Sequence, residues 1–137
     1  MEANSCLTLK NYIVKTIRFS INEEFKPPKN APILIDPEYE RQIRKVDDNN
    51  ACVNLLFSIK NEKNDLPFSI EIDIEGLFQL DGWENPEINS IMTTNTVAIL
   101  FPYLRSIVSM VTANANIPPY TIPVMNITAL FDEGVSE

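Results

Sequence analysis

Residues 7–21 alternate apolar and polar side chains, and that period of two constrains the fold more than any other feature of the chain. Leu7, Leu9, Ile13, Ile17, Phe19 and Ile21 fall at odd positions, with Thr8, Lys10, Thr16, Arg18 and Ser20 between them. A long run with one apolar face predicts an antiparallel strand that buries one side and wets the other. Asn11 and Lys15 interrupt the apolar side, so the strand is expected to bend or lie at a sheet edge there. Two further runs repeat the pattern. Val53, Leu55, Phe57 and Ile59 alternate with Asn54, Leu56, Ser58 and Lys60, while Phe68, Ile70, Ile72 and Ile74 alternate with Ser69, Glu71, Asp73 and Glu75. A polar hairpin loop at 61–65 joins them. Gly76 then marks either a bulge or a close approach. Residues 38–46, mostly polar around Tyr39, Ile43 and Val46, predict a weak edge strand that turns at Asp47-Asp48-Asn49-Asn50.

After a connection over 81–96 the period changes. Val97, Leu100, Phe101, Leu104, Ile107, Val108 and Val111 share one face of a helix predicted over 96–113. Pro102 falls in its first two turns, where a missing amide donor does least harm. Asn114, Asn116 and Pro118-Pro119 end it, before a short extended run from Thr121 and at most a helical turn at 128–131. Strands first and helix late give an α+β fold, one domain over 1–137. Its antiparallel sheet of about four strands packs with one long helix from the C-terminal half. Between the first two strands, Pro27, Pro28, Pro32 and Pro37 deny the backbone a regular ladder. Ile33, Leu34 and Ile35 sit among them, an aliphatic patch that either buries a crossing loop or meets a partner.

Composition removes whole classes of function. A net charge of −8 disfavours nucleic acid or an anionic membrane as the main partner. With no histidine, His-based triads, His general bases and most zinc sites cannot be built. Three glycines leave no phosphate-cradling loop. Neither a catalytic group nor a metal or cofactor is expected. Glu71, Asp73 and Glu75 line one strand face at spacings of roughly 7 Å, too wide for a tight acid–base pair. They read as a solvated face or as an acidic docking surface for a basic partner. Cys6 and Cys52 lack metal-like spacing; reduced buried thiols are expected, with a single disulfide as the alternative. No apolar run reaches about 18 residues and no leader pattern opens the chain, so membrane insertion is not expected and the cytoplasm is the default location.

The segment LFPYLRSIVSMV, followed by IPPYTIPVMNITALF, resembles the C-terminal half of the SecB protein-export chaperone family. Leu100, Phe101, Pro102, Tyr103 and Arg105 match its helix opening, and Pro118 its turn. Pro123, Val124, Asn126, Ala129, Leu130 and Phe131 match the element after that turn. Gly76-Leu77-Phe78 is similar to the family's G-I-F, while before Phe68 the likeness is topological. The resemblance implies an ATP-independent cytoplasmic chaperone, a homotetramer built as a dimer of dimers. It would hold unfolded client polypeptides and pass them to the motor SecA. On this chain it implies a client groove of Ile33, Leu34, Ile35, Leu56, Tyr103 and Met110, and it matches Glu71 to one acidic docking position, within the row of Glu71, Asp73 and Glu75 expected to dock a partner. Ile70, Ile72, Ile74, Leu104, Ile107, Val108 and Val111 would form the oligomer interface, or alternatively an intramolecular core. By this resemblance Thr16 and Ser20 stand at acidic positions of the family's first strand, and the family's second helix and mobile tail are expected to be shortened or missing after Phe131. These departures raise a rival, a dedicated chaperone of an antitoxin in a toxin–antitoxin module. A third class is a monomeric or dimeric cup for a small apolar ligand.

Overall fold

The alternating runs pair into one antiparallel sheet of β1 (Leu7–Ile21), β2 (Glu38–Asp47), β3 (Asn50–Ile59) and β4 (Phe68–Leu80), ordered β1-β4-β3-β2. The computed structural model describes residues 7–27, 29, 32–63, 65–123 and 127–130, without the side chains of 128 and 129. The two strands with the cleanest alternation are central. Val53, Leu55 and Phe57 on β3 and Ile70, Ile72 and Ile74 on β4 are buried on one face. The more polar strands form the edges. β2, with the sequence EYERQIRKVD, carries the charges that discourage an exposed edge from pairing with strangers.

β1 breaks strict alternation for a structural reason. Leu9 stands opposite Phe78 but Asn11 opposite Leu77, and Val14 opposite Ile74 but Thr16 opposite Asp73. Lys10 and Lys15 are therefore the extra residues of two bulges. Each bulge reverses the parity of the residues after it. Leu7 and Leu9, then Tyr12 and Val14, then Ile17, Phe19 and Ile21 consequently share one face, the face of the core. Ile13, read from sequence as part of the apolar side, stands instead opposite Glu75 on the other face.

Helical structure starts earlier than the periodicity predicts. α1 (Ile88–Ser90), a π-helical turn (Ile91–Asn95) and α2 (Thr96–Asn114) run on without a break. Asn85 opens the run: its Oδ1 accepts the Glu87 N–H at 2.8 Å and its carbonyl the Ile88 N–H at 3.0 Å. Thr93 and Thr96 donate their hydroxyls to the carbonyls of Asn89 and Met92, each at 2.7 Å. Pro102 thus lies deep in the helical run rather than near its start. The carbonyl it deprives is that of Ala98, and both residues lie on the exposed side of the helix. Asn116, at φ 65, closes the helix in the left-handed conformation that asparagine tolerates, donating its N–H to Ala113 at 3.0 Å. The run Ile88–Asn114 has a mean hydropathy of 1.5 over its most apolar window, long enough by length and composition to cross a membrane. Its inner face, with Val97, Leu100, Leu104 and Val108 fully buried, instead roofs the sheet. α3 (Ile127–Leu130) is the short turn expected near the C-terminus.

Gly76 resolves as a close approach within a regular stretch of β4. A Cβ there would stand 2.8 Å from Phe78 Cε1 and 3.0 Å from Leu100 Cδ2, so glycine is what lets α2 settle on the sheet.

Candidate functional site

α2 does not cover the whole inner face of the sheet. On the β1 side Tyr12, Val14, Ile17 and Ile21 point to the helix face yet remain between 36% and 47% exposed. Tyr103 and Met110, seven residues apart on α2, are 38% and 51% exposed. The Tyr12 and Tyr103 rings meet at 4.4 Å between centroids, joining strand and helix into one apolar trough. Scattered exposed apolar residues need no explanation, but a contiguous set marks a surface that binds something.

The opposite flank of α2 is built from aromatic rings and a strap. Phe101 lies 6.1 Å from the Tyr39 ring, which meets Phe57 edge-on at 5.3 Å. Ile35 of the crossing segment packs on this core, whereas Leu34 is 81% exposed and Ile33 is also exposed. The Ile33-Leu34-Ile35 patch therefore divides: one residue anchors the segment and two stay available. After the helix, a proline-rich stretch returns along it, tied by side chains spaced at 105, 109 and 112. Arg105 Nε donates to the Ile122 carbonyl at 2.8 Å, Ser109 Oγ to that of Tyr120 at 3.4 Å, and the Tyr120 N–H donates to Thr112 Oγ1 at 2.9 Å. Replacing Arg105 with alanine is expected to cost about 1.5–3 kcal/mol, the range for a charged hydrogen bond. Limited proteolysis should then show faster cutting within 117–123; unchanged cutting would mean the guanidinium does not hold the strap.

Tyr39 presents a buried hydroxyl with no hydrogen-bond partner among the described residues. Burial, then the nearby Tyr120, push its pKa from 10.0 up to about 12. Tyr120 is raised too, by burial and then by Asp36, which places these three groups near one another. An unfolded tyrosine ionises first as pH rises. The stability contributed by neutral Tyr39 is therefore complete below pH 10 and lost as pH climbs from 10 toward about 12. We expect the unfolding free energy to fall over that interval, and to fall less in Tyr39→Phe. A parallel pH profile for both proteins would contradict the assignment.

The other sheet face is polar. Glu71, Asp73 and Glu75 stand in line there, as alternation requires, but they are not free charges. Arg18 pairs with Glu71 at 2.6 Å, and Lys15 and Arg44 reach Glu75 at 3.9 and 3.4 Å. Asn54 Nδ2 donates to Asp73 at 2.9 Å. Thr16 and Ser20 share this face, opposite Asp73 and Ser69. Leu56, expected beside the helix residues, faces Asp73 in register and lines a depression of about 240 Å³ with Glu71 and Asp73. The thickness of the sheet separates it from Tyr103 and Met110. Cys52 is a free, half-buried thiol opposite Leu77, and Cys6 lies outside the described residues. Among the described residues no three Cys, Asp or Glu side chains are arranged to hold a metal.

Of the residues assigned to an oligomer interface, Ile70, Ile72, Ile74, Leu104 and Val108 are enclosed by their own chain; Ile107 and Val111 are partly open. The sequence reading missed Tyr12, Val14 and Ile17 on β1, and Tyr39, Phe101 and Tyr120 on the other flank. For β1 the signal was present: skipping one residue at each lysine restores an unbroken apolar stripe.

Known proteins share this architecture. The profile of the family described as "SecB: Preprotein translocase subunit SecB" matches residues 4–137. The uncharacterized protein MJ0357 of Methanocaldococcus jannaschii is 34% identical over 136 residues, covering 95% of this chain and 86% of that protein. The protein-export protein SecB of Bartonella quintana is 29% identical over 119 residues, covering 86% of this chain and 75% of that protein. A solved structure of the Mycobacterium tuberculosis Rv1957 SecB-like chaperone, in complex with a ChAD peptide from the Rv1956 HigA1 antitoxin, superposes with a TM-score of 0.70. It is 16% identical and covers 90% of this chain and 94% of that one.

Proposed function

The chain belongs to the SecB family, and from that membership and its open apolar surface we propose that it is an ATP-independent holdase for unfolded polypeptides. The single observation that carries this reading is the exposed apolar trough of Tyr12, Val14, Ile17, Ile21, Tyr103 and Met110, with Leu34 exposed on the crossing segment. A holdase needs apolar contact area that tolerates many sequences, and methionine and aliphatic side chains supply it. The domain, 1–137, works in the cytoplasm as a homotetramer, a dimer of dimers. Part of the trough, with Ile107 and Val111, meets another copy, backed by the enclosed layer of Ile70, Ile72, Ile74, Leu104 and Val108. The remainder holds client. Several weak sites on one assembly gain by effective concentration. Binding, not catalysis, is the activity.

Delivery of export clients to SecA, through Glu71, Asp73 and Glu75, is the first destination we propose. It is supported by relatives named as protein-export proteins. A dedicated antitoxin client is the second. Two observations favour it: the Rv1957 structure contains an antitoxin peptide, and the bases beside Glu71 and Glu75 weaken an acidic docking row. The test is light scattering of a chemically denatured protein diluted into buffer without nucleotide. The holdase reading predicts suppression at near-stoichiometric ratios; undiminished aggregation contradicts it. Added SecA, or an antitoxin encoded beside the gene, should then compete for the loaded complex and so separate the two destinations.

A further inference from the structure

The Tyr39 hydroxyl is the one buried side-chain polar atom without a partner among the described residues, and it lies where an apolar surface alone would not require it. Phenylalanine would fill the space between Phe57 and Phe101 without stranding a polar atom. We propose that this hydroxyl is the polar anchor of the β2 flank, donating a hydrogen bond to a backbone carbonyl of an extended client segment. The inference rests on the holdase reading and deepens it by naming the client group recognised.

Three observations converge. The ring is fixed by two aromatic neighbours, at 5.3 and 6.1 Å, so the hydroxyl is held in place before any client arrives. The group is a donor at physiological pH, as any un-ionised phenol is. The segment beside it is lightly tied: among the described residues of 22–37, only Asn22 N–H to Pro67 and Phe25 N–H to Asn22 are backbone-to-backbone bonds. Ile35 packs on the same core cluster as Tyr39, so a shift of this segment opens that flank with little loss of backbone bonding. A peptide carbonyl is the fitting occupant because every client has one at each residue, whatever its sequence. That gives a holdase a polar contact without sequence preference.

The experiment measures binding of fluorescein-labelled, reduced and S-carboxymethylated α-lactalbumin by anisotropy, alongside urea unfolding of each empty variant. Tyr39→Phe is expected to weaken binding about tenfold, the loss of one buried hydrogen bond. It should leave the unfolding midpoint equal to the parent's or higher, since an unpaired buried group has been removed. Ile33→Ser/Leu34→Ser is the control for the holdase reading. If the control loses affinity and Tyr39→Phe does not, the anchor is refuted while the reading stands. If neither changes affinity, the anchor is refuted and the crossing segment has no part in the site; if the parent itself binds no α-lactalbumin, the holdase reading falls and the anchor with it. A Tyr39→Phe protein that loses stability and affinity together shows a packing role and also overturns the proposal.

Discussion

Leu100→Ala should lower the free energy of unfolding by about 2–5 kcal/mol, the range for emptying a leucine site in a close-packed core. Leu100 is fully buried, and its Cδ2 would be 3.0 Å from a Cβ on Gly76. That second fact makes the prediction sharper than a cavity cost. Gly76→Ala alone should cost about 1–3 kcal/mol, because the added methyl meets Phe78 at 2.8 Å and Leu100 at 3.0 Å. The two costs should not add. Removing the Leu100 side chain relieves one of the clashes, so the double variant should be more stable than the sum predicts by roughly 0.5–3 kcal/mol. Urea denaturation of the four proteins of this cycle measures it. Strict additivity would mean that α2 does not rest on β4 at Gly76.

Ile33→Ser/Leu34→Ser/Ile35→Ser should have the largest effect on client holding, a loss of tenfold or more in affinity for about two well-exposed aliphatic contacts and one anchor. Leu34, at 81% exposure, can contribute little to folding, so its substitution alone should stay within about 0.5 kcal/mol of the parent. Ile35 packs on the core and accounts for most of any stability lost in the triple variant. Leu34→Ser therefore isolates the binding effect from the folding effect. If aggregation suppression by the triple variant matched the parent's, the crossing segment would have no part in the site.

The sheet was legible because each strand keeps one apolar face, and Leu7 to Ile21 is one strand as the alternation predicts. What periodicity could not convey was where parity flips. A bulge adds a residue without changing composition, so Lys10 and Lys15 read as interruptions when they are the residues that keep the stripe on one face. The helix began early for a comparable reason: Ile88, Ile91 and Met92 belong to a second small core with Ala51 and Leu80, outside the three/four pattern of α2. The proposed site was less legible than the fold. Leu56 alternates correctly, but one strand's pattern does not say which apolar residue lies opposite an acid, and Asp73 decides that across the ladder. Tyr39 is a weakly patterned residue in a polar edge strand, and only packing against Phe57 and Phe101 marks it.

Isothermal calorimetry of the intact assembly with reduced, S-carboxymethylated α-lactalbumin, repeated at several temperatures without nucleotide, is the most direct test of client binding by the open apolar surface. Saturable binding near micromolar affinity with a negative heat-capacity change is predicted, because apolar area leaves water. Absence of binding, or equal affinity for the folded, disulfide-bonded form, would contradict it.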